Sequence, residues 1–411
     1  MFAALRLLSQ RPLFRMLWLS GFISLLGDWF SFVALSHVVS TQSTSALSIA
    51  LLFVLHSAPS ALLAPLAGIL LDRFDRRFLL VYTRWVQAAL TLMMLAAALY
   101  TSILWLQILV FLRSSLSAFV VPAEAALLRH TVQDEELLLA NTIDSTTWSL
   151  AFTLGMALGG FLAAFDPSVA LLIDAATFAF AALVLWRFPK FEAEAPQERS
   201  SIAQFNKELR AAWSYARSQP YLFRVLLSKA PIAFISGSVW VLFNLRAEEK
   251  ALLGSGAITF GVLQAIKGVG TALGPAWLPW LTTKKVPTKT AFHLAFWVTM
   301  FGVGLFVVNV WWCLAASAFL WGAGVGANWV LASAELQRSS PNAMAGRLFS
   351  IDYLAMTLAS CAAALGGALL VEWSGVVSSC VYFGLLVGAG CWGWLWASPK
   401  VTSNSKQSRA D

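Results

Sequence analysis

Asp28, Arg113 and Lys267 stand deep inside long apolar stretches of this chain. An ionisable side chain in such surroundings costs on the order of several kcal/mol unless it finds a partner or water. Each is therefore expected to be paired, to exchange a proton or to meet a charged ligand. Arg113 lies about ten residues into its run, near mid-depth at roughly 1.5 Å per residue, and Asp28 stands at a comparable depth in the first run. The two are expected to meet, so that occupancy of the site tunes the protonation of Asp28. A proton or cation site and a purely structural ion pair both fit. Lys267, in the middle of a later run, can receive an anionic group or act as a countercharge, because no end of the run is within reach of a snorkelling ammonium. Lys229 lies nearer an end and is expected to snorkel. Asp174 and His56 are further candidates for the lining of a shared cavity.

A second constellation runs from Gly68 to Arg77, reading Gly-Ile-Leu-Leu-Asp-Arg-Phe-Asp-Arg-Arg. It packs five charges at the foot of one apolar run, more than a solubilising loop requires, and the next run begins at Phe78. Asp72 can face the positive N-terminus of a neighbouring helix near Gly346 and Arg347, and Arg76 can pair with Glu124 at the end of the fourth run. With Arg73 and Arg77 these residues read as a latch formed only when the inner faces of two halves are close, biasing the molecule towards the outward-open state. A third pattern, Gly155-Met156-Ala157-Leu158-Gly159-Gly160, places glycines where a helix can approach a partner closely and slide. Its Ala-Leu-Gly-Gly recurs at 364–367, in the fifth span of each half.

The elements that position these groups follow from composition. With 59% hydrophobic and 12% charged residues and a mean hydropathy of +0.73, the chain belongs in a membrane. A helical span needs about 20 apolar residues, and the runs do not alternate as barrel strands do. Spans are expected near 13–40, 45–71, 78–100, 103–127, 141–165 and 168–187, then 221–245, 256–282, 290–308, 310–334, 347–371 and 375–397. These form an N-terminal bundle (1–188) and a C-terminal bundle (221–398), with a polar linker (189–220) and a tail (399–411) outside the membrane. In the linker, Ile202, Phe205, Leu209 and Trp213 recur at helical spacing, with Ser201 to Gln204 as a capping box, which predicts a short helix lying on the membrane surface.

Nearly all loop Lys and Arg fall on one side, against Arg246 and Lys250 on the other, so both termini are expected in the cytoplasm. That distribution accounts for the net charge of +8 without nucleic acid. The first run holds Asp28 and is too long for a cleaved signal peptide. Cys313, Cys361, Cys380 and Cys391 fall in apolar spans and are expected to act as small hydrophobes without disulfides. His37, His56 and His293 make no metal-ligand pattern. Trp105, Trp186, Trp277, Trp311, Trp312, Trp373 and Trp394 sit near span ends as an interfacial belt would place them, while Trp321 and Trp329 can wall a cavity. A phosphate-cradling loop and hydrolytic clusters are both missing from the sequence, so neither ATP drive within this chain nor an enzyme is expected. No cofactor or metal is expected either.

In its architecture and motifs the chain resembles the major facilitator superfamily over nearly its whole length. Gly68, Leu70, Asp72, Arg73, Arg76 and Arg77 fill that family's pattern between the second and third helices, with Asp75 in place of its second glycine. The run Asp-Arg-Phe-Asp-Arg-Arg is similar to the branch of macrolide and siderophore exporters. Arg113 matches the family's fourth-helix arginine, with Ser117 where glycine is usual. Gly155, Gly159 and Gly160 resemble the fifth-helix motif of its antiporters, with Met156 where proline is usual.

The resemblance implies an all-α integral membrane protein of twelve transmembrane helices in two six-helix bundles with pseudo-two-fold symmetry, the major facilitator fold. It implies a monomeric, multi-pass protein of the bacterial inner (plasma) membrane that exports a small amphipathic substrate, of drug or siderophore type, in exchange for protons and in contact with membrane lipid. Gly27-Asp28 and the Pro122-Ala123 turn are also similar to lysophospholipid flippases. A transporter-like sensor or assembly partner that moves nothing is the remaining expectation.

Overall fold

The computed structural model describes residues 2–43, 45–71, 75–100, 102–189, 202–250, 253–308, 310–341, 344–375 and 379–397, and among them it contains helices and no strand. The first half comprises α1 (Phe2–Gln10), α2 (Pro12–Gln42), α3 (Ala46–Leu71), α4 (Arg76–Leu99), α5 (Ile103–Leu128), α6 (Leu137–Phe165) and α7 (Pro167–Trp186). After α8 (Ile202–Ser218), the second half begins with α9 (Pro220–Leu227), α10 (Lys229–Lys250), α11 (Gly256–Leu273) and α12 (Leu278–Thr283). It ends with α13 (Thr288–Leu305), α14 (Trp311–Ser339), α15 (Ala345–Ser374) and α16 (Ser379–Ala397).

Ten stretches of the described residues are long and apolar enough to cross a membrane. Two of these combine helices, α9 with α10 and α11 with α12. The helices α13 and α16 occupy the ninth and twelfth positions, giving twelve spans in two bundles of six.

Helix ends are fixed by side chains where the chain turns. Asp75, which stands where the resembled motif has glycine, is the N-cap of α4 and accepts a 2.9 Å hydrogen bond from the Phe78 amide. Asp166 caps α7 in the same way through the Ser168 amide at 2.8 Å. Arg77 donates to the carbonyls of Leu185, at 3.2 Å, and Trp186, closing the last turn of α7 with a cation. Arg11, 2.9 Å from Glu136, ties the start of α2 to the turn before α6.

The linker forms the expected helix α8, and one face of it packs on protein. Ala212 and Ala216 are fully buried against Leu336, Leu348 and Ile351 of α14 and α15, and Trp213 packs on Phe223 at 5.5 Å between ring centres. Burial against the second half thus holds one face of this helix, while Trp213 of the predicted apolar stripe keeps 37% of its surface exposed. Ser201, the proposed cap, lies outside the described residues.

The two halves meet chiefly where α6 packs on α11 and α3 on α15. Gly155, Gly159 and Gly160 serve two neighbours at once. A methyl group at Gly155 would lie 2.6 Å from Trp29 Cβ and one at Gly159 2.7 Å from Phe30 Cα, both on α2, whereas one at Gly160 would lie 2.7 Å from the Ala257 carbonyl oxygen on α11. The first two seat α6 within its own half; the third brings the halves together. Gly160→Leu is therefore expected to part α6 from α11. A cysteine placed at Ala257, now 1% exposed, should then react with a membrane-impermeant maleimide, while Gly159→Leu should destabilise the chain without exposing it.

Candidate functional site

Arg113 on α5 is 1% exposed and sits between two carboxylates. Its Nη2 lies 2.7 Å from Asp28 Oδ1 on α2, and its Nη1 lies 2.7 Å from Asp174 Oδ2 on α7 and 3.2 Å from Ser31 Oγ. Asp174 is sealed from solvent, and Thr177 donates to it at 3.4 Å; Asp28 keeps 23% of its side-chain surface exposed. The structure thus brings Asp28 to Arg113, as the shared depth of the two runs suggested. Asp174 is in direct contact with the same guanidinium. One cation and two carboxylates leave a single negative charge in apolar surroundings, which one proton can neutralise. His56 on α3 lies beside this centre with its ring against Phe32 (4.7 Å) and Trp29 (5.8 Å), and its buried Nδ1 has no hydrogen-bond partner among the described residues.

A second buried arginine continues this line towards the end of the molecule that carries α8. Arg84 on α4 is 6% exposed, pairs with Glu124 at 2.8 Å and donates to Gln87, which donates to Ser117. Arg84 and Arg113 lie on the Phe178 ring at 5.7 and 5.8 Å. Glu124 therefore belongs to Arg84. The expected Arg76–Glu124 pair is not formed; Arg76 reaches His130 at 3.3 Å, since it stands two turns of α4 away from the level of Arg84.

The second half holds a centre of its own. Lys229 does not snorkel. It is the first residue of α10, 5% exposed, 2.7 Å from Asp352 on α15 and 3.1 Å from Ser333 on α14, with its ammonium 4.4 Å from the Trp329 ring. A cation at a helix N-terminus is disfavoured by the helix dipole, and Asp352 supplies the compensation. Lys267, in the middle of α11, has three rings around its ammonium: Trp321 at 4.6 Å, Trp240 at 4.8 Å and Phe152 at 4.9 Å.

The ends of the molecule differ. Away from α8, His37 of α2 meets Glu248 of α10 at 2.7 Å, and Glu372 of α15 accepts from Ser45 and from the Leu47 amide (3.2 Å) at the start of α3. Carboxylates of the second half thereby close on the first, one of them at a helix N-terminus. Towards α8, the stripe Asn141, Asp144, Ser145 and Trp148 of α6 is exposed. The same helix face touches α11 further along, at Phe152, Met156 and Gly160, so α6 and α11 diverge towards the α8 end. There α3 and α15 remain in touch through Ser60 and Tyr353, 3.5 Å apart.

The proposed latch is only partly described. Gly68 lies in α3, while Asp72 and Arg73 fall outside the described residues. Arg76 and Arg77 serve the first half alone. Arg347 places its Nε 2.9 Å from Glu208 of α8, and its expected proximity to Asp72 falls outside the described residues. The Arg347 hydrogen bond holds the Glu208 carboxyl below the usual carboxylate range. This tether is accordingly present above that range and is lost as pH falls through the depressed value.

Arg84 and Asp352 could have been found by the same signal as Arg113, an ionisable side chain within an apolar run. No metal-binding cluster of His, Cys, Asp and Glu occurs among the described residues.

The family model described as "Transmembrane secretion effector" matches residues 3–401. An uncharacterized MFS-type transporter of Bacillus subtilis (strain 168), YfiS, is 27% identical over 402 residues, covering 92% of this chain and 93% of that protein. Macrolide efflux protein A of Streptococcus pyogenes is 24% identical over 237 residues, 56% of this chain and 58% of that one. Among solved structures, the nucleoside transporter NupG (D323A mutant) superposes with a TM-score of 0.76 at 14% identity, covering 93% and 100% of the two chains. A bacterial homologue of the iron transporter ferroportin, in an inward-facing state, superposes with a TM-score of 0.70 at 14% identity, covering 94% and 99%. These likenesses establish the fold.

Proposed function

As a member of the major facilitator superfamily, matched as a transmembrane secretion effector over residues 3–401, the chain is a secondary transporter and not an enzyme, and from that premise we propose that it exports small amphipathic molecules in exchange for protons. The observation that carries this reading is the sharing of Arg113 between Asp174, which is sealed, and Asp28, which is partly exposed. With Asp174 holding the guanidinium, Asp28 can gain or lose a proton without stranding Arg113 as a bare buried cation. A carboxylate that alternates in this way, beside an opening between two halves, is what coupling requires.

The likeness to a macrolide efflux protein supports export. With both termini in the cytoplasm of a bacterial inner membrane, the seal at His37–Glu248 and Ser45–Glu372 faces outward, and the exposed stripe of α6 faces the cytoplasm. The described state is then the one that loads cargo. Rocking of the halves breaks this seal and draws the α8 ends together, with the facing ends of α3 and α4 at the closing edge.

Everted vesicles energised with a pH gradient provide the test. The wild-type chain should accumulate a macrolide or a similar amphipathic probe, and Asp28→Asn should lower that accumulation about tenfold or more while downhill flux persists. Undiminished uphill transport by Asp28→Asn would remove Asp28 from coupling. Movement of lysophospholipid without proton flux would favour an uncoupled lipid path instead.

A further inference from the structure

The surroundings of Lys267 are those of a cation site that already has an occupant. Among the described residues no carboxylate pairs with its ammonium, and three ring faces take that place at 4.6–4.9 Å. The rings are held by neighbours other than the lysine. Trp321 is fully buried and donates its indole N–H to Ser236 at 2.8 Å. Trp240 packs on Phe53 (5.4 Å) and Phe260 (6.1 Å), and Phe152 packs on Trp29 (4.8 Å) and Trp148 (5.5 Å). Phe152 belongs to the first half, Trp240 and Trp321 to the second, so the box is assembled where the halves meet. Next to Lys267, Gly268 seats α11 directly against Phe152 and Thr153.

Aromatic faces carry negative quadrupole charge, and boxes of this kind recognise alkylammonium groups. An anion brought to Lys267 would face three repelling ring faces, which counts against the expectation that this lysine receives an anionic group. Its side chain is half-buried, on a flexible four-carbon stem. It can swing into the opening beside the exposed end of α6 and be hydrated there.

We propose that the Phe152–Trp240–Trp321 box is a binding site for the alkylammonium group of an amphipathic ligand, with Lys267 as its resident, displaced when the ligand enters. The resident sets a threshold. A box filled by Lys267 nine-tenths of the time weakens any incoming cation about tenfold, so the ligand must add apolar contacts with neighbours such as Trp29, Phe32 and Trp148. That the ligand is cargo rests on the export reading; the binding site itself does not.

The test is equilibrium binding of tritiated benzyltrimethylammonium to the purified full chain in detergent, with thermal unfolding as the control for folding. Lys267→Ala should bind the probe about tenfold more tightly than wild type, and Lys267→Arg, which keeps a resident cation, should show no gain. Adding Trp240→Leu to Lys267→Ala should remove the gain; if that variant does not fold, Phe152→Leu makes the same test from the other half. The uncharged isostere neopentylbenzene should gain nothing from Lys267→Ala. No tightening in Lys267→Ala overturns the proposal. So does a gain that survives loss of a ring, which would reflect removal of a charge alone, or an equal gain for the isostere, which would reflect an empty cavity. Failure of the export reading would look different: intact probe binding in wild type with no pH-driven flux.

Discussion

Arg113→Met is expected to cost about 3–5 kcal/mol of stability and to abolish transport. Asp174 is 0% exposed and its strongest partner is this guanidinium; removing the cation strands a carboxylate where water does not reach. Two contributions are separable. Adding Asp174→Asn removes the stranded charge and should recover most of the lost stability, because a buried pair is damaged far more by losing one partner than by losing both. Transport should stay lost, since Asp28 then has no guanidinium to release and retake. Thermal unfolding in detergent measures the first contribution and vesicle flux the second. A single Arg113→Met chain that folds and transports normally would show that the centre is neither structural nor coupling.

Lys229→Met is expected to be comparably severe in the second half, and for the same physical reason. Asp352 has one oxygen on Lys229 and the other, Oδ1, buried without a partner among the described residues, so loss of the ammonium strands a buried carboxylate. The cost is about 3–5 kcal/mol. Lys229→Met combined with Asp352→Leu should restore stability to within about 1.5 kcal/mol of wild type, making the double variant more stable than Lys229→Met alone and the two changes strongly non-additive in a double-mutant cycle. Additive effects of the two changes would contradict the pairing. Lys229 stands at the break between α9 and α10 and joins α10 to α14 and α15, so the restored double variant also asks whether the tie matters for rocking. Slower flux at full stability would show that it does.

Several features were legible in the sequence because they depend on position along a helix. Span count follows from apolar length, α8 from the spacing of Ile202, Phe205, Leu209 and Trp213, and the meeting of Asp28 with Arg113 from equal depth. Partner choice was harder, because it depends on how each helix is turned about its axis. A span that is apolar all round carries little periodic signal to show its facing side. Depth alone therefore does not bring Asp174 to Arg113, nor does it separate Arg76 from Arg84 as the partner of Glu124, a choice made by the rotation of α4. The distance of Lys229 from the span end likewise carries no sign of Asp352 on the helix opposite. The Lys267 box is illegible in a different way, since Phe152, Trp240 and Trp321 are far apart in sequence and become a site only when the halves dock. Asp75 shows a motif departure acquiring a function, as the residue replacing glycine caps α4.

The central claim is that one proton exchanged at the Asp28–Arg113–Asp174 centre drives export. It is tested most directly by proton movement in proteoliposomes containing only the purified chain and a trapped pH-sensitive dye. Adding an amphipathic substrate should provoke proton flux opposite to substrate flux in wild type, and none in Asp28→Asn, although that variant still exchanges labelled for unlabelled substrate. Substrate movement in wild type without any accompanying proton flux would contradict the account.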